Sequence, residues 1–452
     1  MSNILDNMIL FLSSISDGMD AQMNHDVLKR VIFDQHEIIR NALIIPRRYR
    51  LDPHANYVVT GLRRAGKSTL LYEVARNLVT AGMSWSQIVY INFEDERLAE
   101  FALADFDDIV QVQSELSHGR GVFFFDEIQN IPGWEKFARR LADAGERVYI
   151  TGSNASMLSG QISSTLGARY FTQHVTPFRF DEYLDAREQP HDDAALFTTR
   201  EIGRIHSCFD DFYKQGGFPE ALRYESPRAY VESVYQKVLL GDIVARNQVR
   251  SPGALRVLMK KVAETVRNDV SYSALHNSLK SIGYGISKDT VIAYIGYAKE
   301  AYLLFDIKNA VSKFVERESN PKYYFSDNGL LSLFLVNRET ALLENEVAVA
   351  LRDVYGNDLH YLKSGKHGID LDFYLPEAGI AIQVAYSVSD EAREREVGNL
   401  VKLHRLDAAV KNLIIVTKEE RMTIEEGGCT IEVVPAWRFL LDLSRGDVKP
   451  RP

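Results

Sequence analysis

Gly61-Leu62-Arg63-Arg64-Ala65-Gly66-Lys67-Ser68 sets a glycine-bounded loop directly ahead of a Lys-Ser pair, between two stretches of opposite periodicity. Before it, Asn56-Tyr57-Val58-Val59-Thr60 is apolar and β-branched and reads as a buried parallel strand. After it, Thr69 to Leu78 carries apolar residues at helical spacing. A strand that turns through glycines into a helix leaves little choice of fold or ligand. The loop wraps backbone N–H groups around a polyphosphate, and the helix N-terminus adds partial positive charge. In such a loop Lys67 reaches the β- and γ-phosphates and the Ser68 hydroxyl coordinates Mg²⁺. Gly61, Arg64, Ala65, Gly66, Lys67, Ser68 and Thr69 are therefore the candidate residues for ATP, with Mg²⁺ as its companion.

The Mg²⁺ site needs a second, acid-bearing strand. Val122-Phe123-Phe124-Phe125-Asp126-Glu127 is a continuous apolar run, as a strand buried on both faces should be, and it ends in two acids. Asp126 is placed to hold Mg²⁺, directly or through water, and Glu127 to orient and deprotonate the attacking water. Ile88 to Phe93 and Arg147 to Thr151 read as further strands, and Arg169 to Val175 as a fifth. Ligands of open parallel sheets gather at the carboxyl ends of strands. Ser153 and Asn154 thus point to the γ-phosphate region, as a phosphate sensor or, more plainly, as a helix cap.

These residues carry a resemblance. The core resembles the AAA-type ATPases, which insert a strand between the two phosphate-binding motifs. The whole chain resembles a bacterial and archaeal family of two-part ATPases whose C-terminal half is known only as a domain of unknown function. Besides the loop, the matching stretches are Tyr90 to Glu94, Phe125 to Gln129, Thr151 to Asn154, Gly167 to Arg169, Gly216 to Glu220, Lys322 to Leu330 and Asp370 to Phe373. The resemblance implies ATP hydrolysis aided by a guanidinium, often lent by a neighbouring subunit, and hence a homo-oligomer. Arg169, in the family's Gly-x-Arg position, is the candidate for that role. Arg139 and Arg140 are alternatives, and surface or packing roles suit all three.

The expected fold is α/β in three parts: an AAA-type core with an N-terminal helical extension over 1–190, a winged-helix-like helical part over 191–330, and a restriction-endonuclease-like part over 331–452. In the middle part, a helix over Tyr230 to Leu240 is expected to stop at Gly241-Asp242. Two serine-capped helices, from Ser271 and Ser287, flank a glycine turn at Gly283-Tyr284-Gly285, with wing strands from Leu303 onward. On DNA, Lys288, Asp289 and Thr290 would lead the reading helix, and Lys260, Lys261, Arg267 and Lys280 would touch phosphates. The same unit serves equally as a protein adaptor or an ATPase lid.

In the last part, Glu344 and Asp372 fit the helix acid and strand aspartate of the nuclease fold. Its Glu-x-Lys is replaced by Gln383-Val384-Ala385. Glutamine is a poorer Mg²⁺ ligand than a carboxylate and alanine has no amine, so the expectation is a degenerate nuclease that docks rather than cuts. Lys363 and Lys366 are the only replacements in view.

Composition bounds the rest. A chain of 452 residues with 46% hydrophobic content holds roughly two to four domains. A net charge of −9 argues against a protein coated in positive charge. Two distant cysteines, and one short apolar run at Met8 to Leu12, lead to the expectation of a cytoplasmic protein outside the membrane. The function expected is ATP binding and hydrolysis coupled to a DNA or protein partner. The alternatives are a signalling or defence switch with little turnover, or an ATP-regulated nuclease.

Overall fold

The computed structural model describes residues 24–153, 164–336, 339–388, 390–407 and 409–448. The Met8 to Leu12 run and Asn154 lie outside these. Five parallel strands form the first sheet: β1 (Asn56–Thr60), β2 (Ile88–Asn92), β3 (Val122–Asp126), β4 (Arg147–Gly152) and β5 (Tyr170–His174), in the order β2-β3-β4-β1-β5. Strand β4 therefore lies between the loop strand β1 and the acid strand β3. The phenylalanines of β3 are buried on both faces, as their unbroken apolar run requires. Helix α1 (His25–Asn41), capped by the Asn24 side chain, covers one face. On the other lies α2 (Lys67–Thr80), which begins inside the phosphate loop.

Helix α3 (Pro227–Lys237) does not stop at Gly241-Asp242. It runs on as a π-helical stretch, Val238–Ala245. The extra residue per turn re-aims the side chains of this segment, and such π turns recur at functional sites. Helices α4 (Pro252–Glu264), α5 (Tyr272–Ser281) and α6 (Lys288–Glu300) follow, with Ser271 and Ser287 capping α5 and α6 through their hydroxyls.

Strands β6 (Leu304–Asn309) and β7 (Lys322–Phe325) form an antiparallel pair where wing strands were expected. They do not stand apart: β6 also pairs in parallel with β8 (His360–Ser364). The sheet is eight-stranded and is completed by β9 (Ile369–Leu375), β10 (Ile380–Val384), β11 (Asn412–Thr417), β12 (Met422–Glu426) and β13 (Cys429–Pro435). Helices α7 (Glu339–Tyr355) and α9 (Ala436–Arg445) cover one face and α8 (Asp390–Leu406) the other. One continuous apolar core joins the first sheet, the helical segment and this sheet. Among the described residues, no helix is long and apolar enough to cross a membrane.

Two matched stretches of sequence meet at the joint of the three parts. The buried Asp327 carboxylate accepts the Gly217 N–H at 2.7 Å, and the Gly217 carbonyl accepts the Phe178 N–H at 2.7 Å. Next to it on α7, burial and the Asp327 charge push the Glu346 carboxyl up to about 8. At pH 4 and below, both the folded and unfolded chain carry this proton. Between its ordinary 4.5 and about 8 only the unfolded chain releases it, so stability falls as pH rises, and above 8 the full penalty stands. Glu346→Gln is expected to stabilise the protein by ~3 kcal/mol at pH 8.5 and by much less at pH 5. Urea unfolding at the two pH values checks this, and an equal effect at both would refute it.

Candidate functional site

The loop holds its shape through backbone angles that side chains resist. Gly61 (φ 145°) and Gly66 (φ 99°) lie in the left-handed region, and a Cβ on Gly61 would stand 2.1 Å from the Val175 carbonyl oxygen. Glycine is thus required at the loop's start by the chain leaving β5. The Lys67 amine curls back to the carbonyls of Gly61 and Leu62, at 3.0 and 3.1 Å, spanning the mouth of the loop. Burial pulls its pKa down, against the pull of Glu127 and Asp126.

Asp126 is buried at the end of β3, where its carboxylate accepts from the Thr151 hydroxyl and, at 2.9 Å, from the Tyr90 hydroxyl. Burial raises its pKa, as does the Glu127 charge, while Ser68 bonds it in the opposite sense. An acid bonded by Ser68, under a buried lysine and beside a second carboxylate, is a donor set suited to a hard divalent cation. Glu127 follows with φ 53°, a strained angle for a glutamate. Its N–H donates to the Thr151 Oγ1 at 3.0 Å, and its carboxylate accepts from Ser153 at 3.2 Å and from Gln129. Loop, Ser68, Asp126, Glu127 and Ser153 thus come together at one end of the sheet.

Arg169 does not join them. It precedes Tyr170, which pairs with Asn56 at the amino end of β1, the opposite edge from the loop; its guanidinium binds Asp143 and the Gly167 carbonyl. Arg139 and Arg140 are tied to Asp143 and Asp107.

Three contacts at the site were not legible in the sequence. Arg47, upstream of β1, is buried against the loop. It donates to the Ala65 carbonyl (3.0 Å), the Thr176 carbonyl (2.8 Å) and the Glu182 carboxylate (3.0 Å). Arg63, inside the loop, makes a two-pronged pair with Asp242 of the π-helical stretch at 3.0 and 3.3 Å, and reaches Glu94 at 3.4 Å. Its neighbour Arg64 (φ 65°) binds Glu220 at 3.1 and 3.2 Å, and Glu220 also accepts from the Tyr230 hydroxyl at 2.8 Å. Adjacent loop arginines are each held by an acid of the helical segment.

Residues 54–184 match the family model of an AAA domain. That segment is therefore similar to AAA domains. Residues 207–341 match the model of a domain of unknown function. An uncharacterized protein of Methanocaldococcus jannaschii is 29% identical over 98% of this chain and 100% of its own length. One of Haemophilus influenzae is 29% identical over 85% of this chain and 94% of its own. Among solved structures, the Walker-type ATPase of Pyrococcus abyssi aligns over 70% of this chain and 97% of that one, at 15% identity and a TM-score of 0.39. That score is too low to bear on how the parts are arranged.

Of the expected DNA-facing residues, Lys260, Lys280, Lys288 and Asp289 are exposed, while Arg267 and the nuclease-type residues make contacts the sequence reading did not foresee. Arg267 turns inward, its Nε 3.2 Å from Glu344, which is fully buried on α7 rather than a surface acid. Lys363 pairs with Asp269 at 2.5 Å. The cation between the two acids is Lys322 of β7, 3.2 Å from Asp372 and 3.5 Å from Glu344. Gln383 is spent on scaffolding, accepting the Asp372 N–H at 2.8 Å and donating to Glu396.

Arg47→Ala would leave Glu182 buried without its partner and the Ala65 carbonyl without a donor. A loss of about 3–5 kcal/mol in unfolding free energy is expected, with Arg47→Lys only partly restoring it. Denaturant midpoints measure it; a change below about 1 kcal/mol would show that the loop is held by other means.

Proposed function

We propose that this chain binds Mg²⁺ and ATP at the loop and hydrolyses ATP there, and that the nucleotide state moves the helical segment to act on a DNA or protein partner. The observation that carries this is the Arg63–Asp242 pair, formed inside the loop by an acid of the following part. The triphosphate brings concentrated negative charge to this loop. It competes with Asp242 for Arg63 and repels the acid, so binding shifts the equilibrium toward a released helical segment. Lys67 and the loop N–H groups bind the phosphates, while Ser68 and Asp126 are the residues to hold Mg²⁺, which neutralises phosphate charge when bound. Glu127, Thr151 and Ser153 position the water, with Glu127 taking its proton. Once freed, Arg63 is the guanidinium this chain can supply from its own loop. Asn154 as sensor belongs to this reading, as does Arg169 acting across a homo-oligomer from the far edge of the sheet.

Glu127→Gln should retain ATP and lower turnover by at least about a hundredfold. Asp242→Asn, by weakening the hold on Arg63, should raise ATP affinity roughly five- to tenfold, and Arg63→Ala should lower turnover. Calorimetry and phosphate release measure both; unchanged affinity in Asp242→Asn would refute the coupling while leaving the ATPase reading intact.

A second reading is a docking role for the last sheet, favoured by Lys322. Burial works against its charge, but Glu344 and Asp372 overcome this and hold the amine protonated. A fixed cation there repels a metal ion and cannot act as a base, so no cleavage of plasmid or single-stranded DNA is expected with Mg²⁺ or Mn²⁺, with or without ATP. Cleavage abolished by Asp372→Ala would overturn this.

A further inference from the structure

A cavity of about 1100 Å³ opens where the three parts meet, and none of the phosphate-loop residues lines it. Its walls come from the end of β5 with Arg179, from the α6–β6 turn, and from α7 with the residues that follow it. In a chain of net charge −9, this cavity is cationic: Arg179, Lys299, Lys308, Arg352 and Arg445 line it against Asp306 and Asp353.

The cations are not equivalent. Arg179 pairs with Asp353 at 3.0 Å, Lys308 with Glu318 at 2.5 Å, Arg445 with Asp193 at 2.9 Å, and Lys299 with Asp306. Arg352 has no such pair among the described residues. Its guanidinium donates to the Gly356 carbonyl at 2.9 Å, and no carboxylate lies within 4.0 Å. Burial accordingly lowers its pKa, with Asp306 the only opposing charge. A partly buried arginine without a carboxylate is costly unless something else neutralises it. Nearby, the Nδ1 of His360 is buried without a hydrogen-bond partner.

The second observation is aromatic. Tyr302 lies in the cavity wall at φ 56°, fixed there by the left-handed cap that ends α6, in which its N–H donates to the Lys299 carbonyl and that of Leu303 to the Ala298 carbonyl. Its ring packs against that of His174, at the end of β5, at 4.9 Å between centroids and 41° between planes. Two aromatic rings beside an unpaired guanidinium offer a face for a planar ring together with a partner for an anion.

We propose that this cavity is a second binding site, for a phosphate-bearing ligand of the nucleotide class, with Arg352 taking the phosphate and Tyr302 and His174 the base. The planar fork of arginine suits phosphate oxygens, and the cavity is ample for a mononucleotide. Ligand here would bridge all three parts. It would also touch β5, whose continuation at Val175 donates its N–H to the Thr60 carbonyl just ahead of the loop, at 2.8 Å.

The test separates this site from the loop by working in full-length Lys67→Ala protein, with AMP and inorganic pyrophosphate as probes in calorimetry. Both probes are expected to bind. Adding Arg352→Gln should weaken both at least about tenfold, and adding Tyr302→Ala should weaken AMP while sparing pyrophosphate. Thermal melting of each variant establishes that it is folded. An unfolded Arg352→Gln is replaced by Arg352→Lys, which should weaken both probes by losing the fork. Absence of binding in Lys67→Ala, binding of pyrophosphate alone, or affinities indifferent to Arg352 would each overturn the proposal. None of these outcomes bears on Glu127 and turnover, so the ATPase reading stands or falls separately.

Discussion

The buried guanidinium of Arg47 is the constraint on which the loop's shape rests. Its donors go to the Ala65 carbonyl inside the loop, to the Thr176 carbonyl just after β5 and to Glu182, so one side chain fastens the loop to the chain on either side of the sheet. A phosphate loop must present N–H groups inward, which forces its carbonyls outward, where they need donors of their own. Lys67 serves the carbonyls of Gly61 and Leu62, and Arg47 that of Ala65. Glu182 also accepts the backbone N–H groups of Arg48 and Arg179, so the same carboxylate fixes the segments before β1 and after β5.

On the function proposed above, this fastening would let the loop serve as an electrostatic sensor. With one side pinned by Arg47, the other presents Arg63 and Arg64 to acids of the helical segment. The Arg63–Asp242 pair is largely desolvated, at 18% and 5% side-chain exposure, so it is poorly screened and responds strongly to a new charge nearby. Arg64–Glu220, at 55% and 38%, is screened by water and contributes little by itself. In the proposed coupling, the buried pair is therefore the one suited to carry a signal.

Much of this was legible in the sequence where the determinant is local. Five strands, the glycine loop and the Asp126-Glu127 ending announce themselves by periodicity and punctuation, because a parallel strand must be apolar on both faces. What escaped was set by partners distant in the chain. Arg47 and Glu182 are 135 residues apart, and Arg63 and Asp242 179 apart, so neither pair leaves a local pattern. Gly241-Asp242 looked like a helix stop because glycine usually ends helices. A π-helical stretch passes through them instead, and no propensity marks that choice.

The lysine between Glu344 and Asp372 shows the same limit from the other side. A search along β10 finds Gln383 and Ala385 and concludes that the cation is missing, yet Lys322 supplies one from β7, 61 residues earlier than Gln383 in the same sheet. Lys322 lies at the start of β7, and the β6–β7 pair that follows the helical part forms the edge of the last sheet. Arg267, between α4 and α5 of the helical part, binds the other Glu344 oxygen. Two cations from the middle of the chain thus neutralise acids of its last part. Removing either cation while the parts stay packed would leave the buried Glu344 carboxyl less compensated. On the coupling proposed above, these shared ion pairs would make the helical part and the last sheet move together when nucleotide charge displaces Asp242 from Arg63.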